Sequence, residues 1–146
     1  MVAELLRRGA WRTLQDAQGQ RPIDIARAHS FRHLESLLAP VFLTDVPAGA
    51  LARIQARFHE VIRGRVDSLV REHALRLPEL EVMLECPPQK FWFAVPGMYG
   101  GFSYWLEGSG PDIRLITESW CRVEGGSGQR HEISPNTAVM VEAGFG

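Results

Sequence analysis

Six side chains in the second half of the chain have types and spacings that could do chemistry together: Trp92, Trp105, Glu118, Trp120, Arg122 and His131. Glu118, Trp120 and Arg122 fall on alternate positions, so in an extended strand they project from one face. A four-residue Gly-Gly-Ser-Gly turn after them sets Arg122 opposite His131 and Trp120 opposite Ile133, and cross-strand pairing brings Trp105 to the same side. Such a surface offers indoles as apolar walls and a guanidinium as a fork for a carboxylate or another anion. It suits a ligand or a partner's side chain. The competing reading buries the face under another element and makes its charges rim ion pairs.

Other chemistry finds less support. Gly125-Gly126-Ser127-Gly128-Gln129-Arg130 has enough glycine for backbone N–H groups to approach an anion, but it lacks the Lys-Ser/Thr ending of a phosphate loop and leads into a strand. A hairpin tip is expected there. His29, His33, His59, His73 and His131 show no paired ligand spacing, and a turn at Ser30 separates His29 from His33, so no metal and no cofactor are expected. His131 and Glu132 lie near Ser127 and Ser134 without a nucleophile elbow, so no catalytic residue is assigned. Cys86 and Cys121 have neither the number of a disulfide scaffold nor a C-x-x-C spacing; two buried, unreactive thiols are expected. Pro96 to Gly101 must turn sharply, and it either exposes Met98 and Tyr99 as contact residues or folds them over the core.

The elements that must position these residues are legible in the pattern. Phe91 to Val123 holds eight of the thirteen aromatic residues, and its apolar positions alternate, which predicts strands. Strands are expected near 91–95, 101–107, 113–123, 129–133 and 137–142, joined by short turns, hence an antiparallel meander over 90–143. Phe145 is expected to tuck into the core. Upstream, Leu51, Ile54, Phe58, Val61, Ile62, Val66, Leu69 and Val70 form an apolar stripe, predicting one long helix over 47–75 with Thr44 or Asp45 as its cap and either a bend or a break into two helices at Gly64. Leu77 to Glu85 reads as either a helical turn or an edge strand.

The first forty residues carry a different signature. Gly9-Ala10 is followed by Asp16, Gly19, Pro22-Ile23, Ile25-Ala26 and Ser30, then by Leu34, Leu37 and Leu38, while Val2, Leu5 and Leu6 repeat that last spacing. This resembles an ankyrin repeat, one full and one partial. Arg21 and Asp24 stand where the family's Thr-Pro-Leu-His turn has Thr and His. The resemblance implies a helix pair with Pro22 at the first helical position, on a scaffold that binds proteins. The rest, with VPGMYGGF, ESWCRV and GGSGQRHE, resembles a C-terminal module of bacterial ankyrin-repeat proteins, a likeness that implies no activity.

The fold expected is therefore α+β: a short ankyrin-like helical segment (1–40), then a domain (41–146) with the long helix packed on the meander. Sixteen basic and seventeen acidic side chains give a net charge of −1, which argues against nucleic acid. No apolar run is long enough to cross a bilayer, so a cytoplasmic location and no membrane partner are expected. The function expected is a non-enzymatic protein-interaction role, as adaptor or regulator, with a protein partner. The alternative is a small-molecule-binding or hydrolytic domain with a pocket between helix and sheet.

Overall fold

The computed structural model describes residues 1–122 and 127–145. Contacts divide the chain into two compact units, one formed by Met1–Thr44 with Glu81–Pro87, the other by Asp45–Leu80 with Pro88–Gly146. The segment around Leu84 thus belongs with the N-terminal residues.

In the N-terminal unit, α1 (Val2–Arg7), α2 (Pro22–Ala28) and α3 (Glu35–Leu38) are short helices. Pro22 opens α2 as expected, and the Asp24 carboxylate reaches back to accept the Arg21 backbone N–H at 3.0 Å. Ile23, Ala26 and Leu38 are buried together, with Val2, Leu6, Leu34 and Ala39 packed around them. The loop before α2 is fixed by Asp16, whose Oδ1 accepts the N–H groups of Gln18 and Gln20 while Gly19 takes a φ of 77°. Ser30 has a φ of 59° and breaks the chain between His29 and His33. Glu81–Glu85 settles the ambiguous stretch as a 3₁₀ helix.

The second unit is a long helix on a five-stranded antiparallel sheet. Helix α4 runs Ala50–Glu72, three residues shorter at each end than expected. Its cap is Gly49, at a φ of 75°, and not Thr44 or Asp45; Pro47 lies before the helix and its carbonyl accepts the Ala50 N–H. The helix bends at Val66 (φ −142°), two residues past Gly64. Leu51, Ile54, Phe58, Ile62, Val66 and Val70 are buried along one side, each contributing about 1.5–3 kcal/mol. The Gln55 carboxamide accepts the Leu80 N–H at 2.8 Å and His59 bonds the Pro78 carbonyl at 2.7 Å, so the chain leaving α4 is held back against it.

Strands β1 (Phe91–Val95), β2 (Gly100–Glu107), β3 (Arg114–Cys121), β4 (Ser127–Ile133) and β5 (Ala138–Phe145) lie side by side in chain order, all antiparallel. The inner face carries Phe102, Tyr104, Leu115, Thr117, Ser119 and Ile133, all buried. Phe58 meets Phe102 edge-on and Tyr104 at a ring separation of 5.1 Å, and burial pushes the Tyr104 phenol up to about 12. In the turn between β1 and β2 the two candidate residues part company. Met98 is buried in the core, whereas Tyr99 is 74% exposed at a φ of 52°. Strand β5 is bulged twice, with Val141 and Gly144 as the extra residues, and Gly144 sits at a φ of 84°.

Candidate functional site

Antiparallel partners project from the same face, so the register decides which candidates meet. Trp92 pairs with Ser103, Ser103 with Glu118, and Glu118 with Arg130; Gly101 pairs with Trp120, and Trp120 with Gly128. Trp92, Trp105, Glu118 and Trp120 therefore share the outer face, which for Trp105, Glu118 and Trp120 is the grouping expected. His131 does not join them. It pairs with Thr117, a residue of the buried inner face, because the β3–β4 register is five residues from the one that a Gly-Gly-Ser-Gly turn would set. An odd offset moves a side chain to the opposite face. Arg122 is also displaced: it lies past the end of β3, exposed, with its backbone N–H donated to the Met98 carbonyl at 3.3 Å. Gly125 and Gly126 of the candidate anion cradle lie outside the described residues, and Ser127 and Gly128 belong to β4.

The outer face is organised by two glycines. Gly101 and Gly128 separate three aromatic side chains in a row, Trp92, Trp120 and Phe145, with ring centroids 6.4 Å and 6.0 Å apart. A Cβ on Gly101 would lie 2.9 Å from the Trp92 ring, and one on Gly128 would lie 2.4 Å from the Phe145 ring. The rings thus cover glycines that expose backbone on their own. Phe145 packs here, on the outer face, and not in the core beneath α4. Trp92 remains 54% exposed.

The polar part of the face is an ion-pair ladder. Trp105 lies under the Lys90 ammonium, 4.3 Å from the ring centroid, and its indole N–H donates to Glu107 at 3.1 Å. That bond, with Arg114 and Arg130 nearby, holds Glu107 below the usual carboxylate range. Arg114 contacts Glu107 and Glu132 at 3.0 Å each, and Arg130 approaches Glu118 at 3.6 Å. Glu118 thus has Arg130 as its partner. Sequence reasoning placed Arg114 on this face but missed Lys90, Arg130 and Phe145. The signal that could have found Phe145 is the pair of strand glycines, each needing a bulky neighbour.

The serine, histidine and glutamate near the end of the chain do not assemble. Ser134 bonds Thr137 across a turn, Ser127 bonds Arg65, Glu132 is on the outer face and His131 on the inner. Cys86 and Cys121 are partly exposed, so the expectation of two buried thiols fails; the Cys86 thiol points to the Met83 carbonyl at 3.5 Å. Among the described residues no histidine, cysteine and carboxylate group is arranged to hold a metal, and no helix is long and apolar enough to cross a membrane.

A recess of about 440 Å³ does lie between α4 and the sheet, lined by Val61, Gly64, Arg65, Gln129, His131 and Met140. Of the six candidates only His131 reaches it. Burial lowers the Arg65 guanidinium from its usual range, and burial followed by the Arg65 charge lowers His131.

Comparison with protein-family models, curated proteins and solved structures finds no match, so function rests on these surfaces.

Proposed function

We propose that this chain is a non-enzymatic protein-interaction module of adaptor or regulatory type, acting in the cytoplasm, which takes an extended segment of a partner protein along the β5 edge of its sheet. The observation that carries this reading is the run Val139, Met140 and Val141, three consecutive apolar residues that are 51%, 52% and 51% exposed. Edge strands are normally blunted by shortness, lysine, proline or bulges, and the two bulges of β5 leave 138–140 as its regular stretch. Strand β5 is eight residues long, has no lysine or proline, and Glu142 is its one charged residue. Among the described residues nothing pairs with its outer side. Strand addition supplies main-chain hydrogen bonds for affinity and alternate side-chain positions for selectivity. The half-exposed Trp92 and the Trp120–Phe145 contact give the adjoining face the aromatic surface that interfaces favour. The ankyrin-like pattern of residues 1–40 supports the same class of function, and the net charge of −1 gives nucleic acid no reason to bind.

The test is capture from a lysate of the source organism by the wild-type chain and by a folded Val139→Lys, Val141→Lys variant, with crosslinks mapped by mass spectrometry. A protein held by the wild type, crosslinked to β5 and lost by the variant is the expected result. Retention by the variant would sink the edge as the interface, and crosslinks confined to residues 1–44 would move it to the N-terminal unit.

A further inference from the structure

The recess between α4 and the sheet contains an arginine, Arg65, whose charge no carboxylate among the described residues answers. Arg65 is anchored through one nitrogen: Nη2 donates to the Ser127 backbone carbonyl and lies 3.2 Å from its hydroxyl. Its Nε and Nη1 are shielded from solvent and have no hydrogen-bond partner, and the same holds for Nδ1 of His131. Two other arginines of α4, Arg63 and Arg71, pair with Asp67, and Arg57 donates to the Pro135 carbonyl, whereas no carboxylate among the described residues pairs with Arg65. Leaving such donors unsatisfied is costly, and more so when the group is charged. An anion toward which the guanidinium turned these nitrogens would relieve that cost.

We infer that this recess is a binding site for a small oxyanion, a carboxylate or a phosphate group, held by Arg65 with His131 and Gln129 beside it. Val61 and Met140 make the rest of the wall apolar, which suits a short hydrocarbon tail behind a charged head. The volume, about 440 Å³, is within the range of small-molecule sites and leaves room for more than a single ion. Gly64 belongs to the wall, and a Cβ placed on it would meet nothing within 4 Å. Glycine inside a helix costs about 1 kcal/mol against alanine, so this residue keeps open a space that any other side chain would enter. The site lies on the helix side of the sheet, opposite the aromatic row, and a ligand there is compatible with a partner at β5.

The test uses the whole chain and two probes, sodium hexanoate and inorganic phosphate, titrated by calorimetry at constant ionic strength with chloride as the reference. The wild type is expected to bind at least one probe; heat with hexanoate alone assigns a carboxylate ligand, and heat with phosphate alone assigns a phosphate. Arg65→Gln is expected to weaken that binding at least tenfold. Gly64→Leu fills the recess while leaving Arg65 in place and adds a better helix former, so it is expected to stay folded and lose binding to the same degree. Absence of heat with both probes, or binding by Arg65→Gln equal to the wild type, would overturn the site. Undiminished binding by a folded Gly64→Leu would show that the anion does not enter the recess and would equally overturn it.

Discussion

The Glu85 carboxylate accepts the Thr13 hydroxyl at 2.7 Å and the Thr13 backbone N–H at 3.0 Å, and both its oxygens also receive the Arg12 N–H. Thr13 is buried. This is why the short segment after Leu80 is counted with the first forty-four residues: one side chain satisfies donors that lie 72 and 73 positions away in sequence. Glu85→Ala leaves those donors without an acceptor and is expected to destabilise the N-terminal unit by about 3 kcal/mol. Hydrogen exchange at the Arg12 and Thr13 amides checks it, and unchanged protection there would show that the carboxylate is dispensable.

The turn into β2 admits no side chain at Gly100. A Cβ there would lie 2.0 Å from the Trp120 backbone oxygen, which cannot move without breaking the β2–β3 ladder. Gly100→Ala is expected to cost more than about 2 kcal/mol in denaturant unfolding. By contrast Gly64→Ala, with open space around it, is expected to be neutral or mildly stabilising.

The two faces of the sheet should respond unequally to truncation. Phe58 is fully buried between α4 and the rings of Phe102 and Tyr104, so Phe58→Ala is expected to cost about 3–5 kcal/mol. Trp92→Ala removes a half-exposed ring and its contact with Trp120, and is expected to cost about 1 kcal/mol. Equal losses in thermal unfolding would contradict the assignment of inner and outer faces.

Stability is expected to fall in mildly acidic solution because of His131. Its folded-state value is depressed by burial and by Arg65, so the unfolded chain takes up the proton first. The contribution is complete above the unfolded value, about 6.5, and is lost as pH falls from there through the lowered folded value. Denaturant midpoints between about pH 7.5 and pH 5 should drop for the wild type and drop less for His131→Gln. Parallel curves would exclude the imidazole as the cause. Glu4 and Asp67, held low by neighbouring arginines, titrate in a more acidic range.

Much of the second unit was legible. Alternation in Ile113 to Cys121 marked a half-buried strand, and the stripe from Leu51 to Val70 marked a helix that needed a sheet, because both patterns repeat over several turns or pleats. The candidate surface was legible only in part. Glu118 and Trp120 share a face because they alternate within one strand, and Trp105 joins them because its strand pairs with theirs across a turn, whereas no pattern in the sequence placed Trp92 there. His131 was misplaced because its face depends on the length of the β3–β4 connection, and a register error by an odd number of residues reverses every side chain of the next strand. Arg65 could not be found at all from sequence. It occupies one position on a helix rich in arginine, and only the packing of β4 against that helix separates it from Arg63.

The tilted rings of Trp92 and Trp120, 6.4 Å apart over a glycine, are two chromophores close enough for their electronic transitions to mix. Such a pair gives the chain an exciton couplet in circular dichroism, with a sign fixed by the twist between the indoles. Because one ring belongs to β1 and the other to β3, the couplet is an optical gauge of sheet integrity that needs no label. A molecule settling on that face would register as a change in this ultraviolet signal.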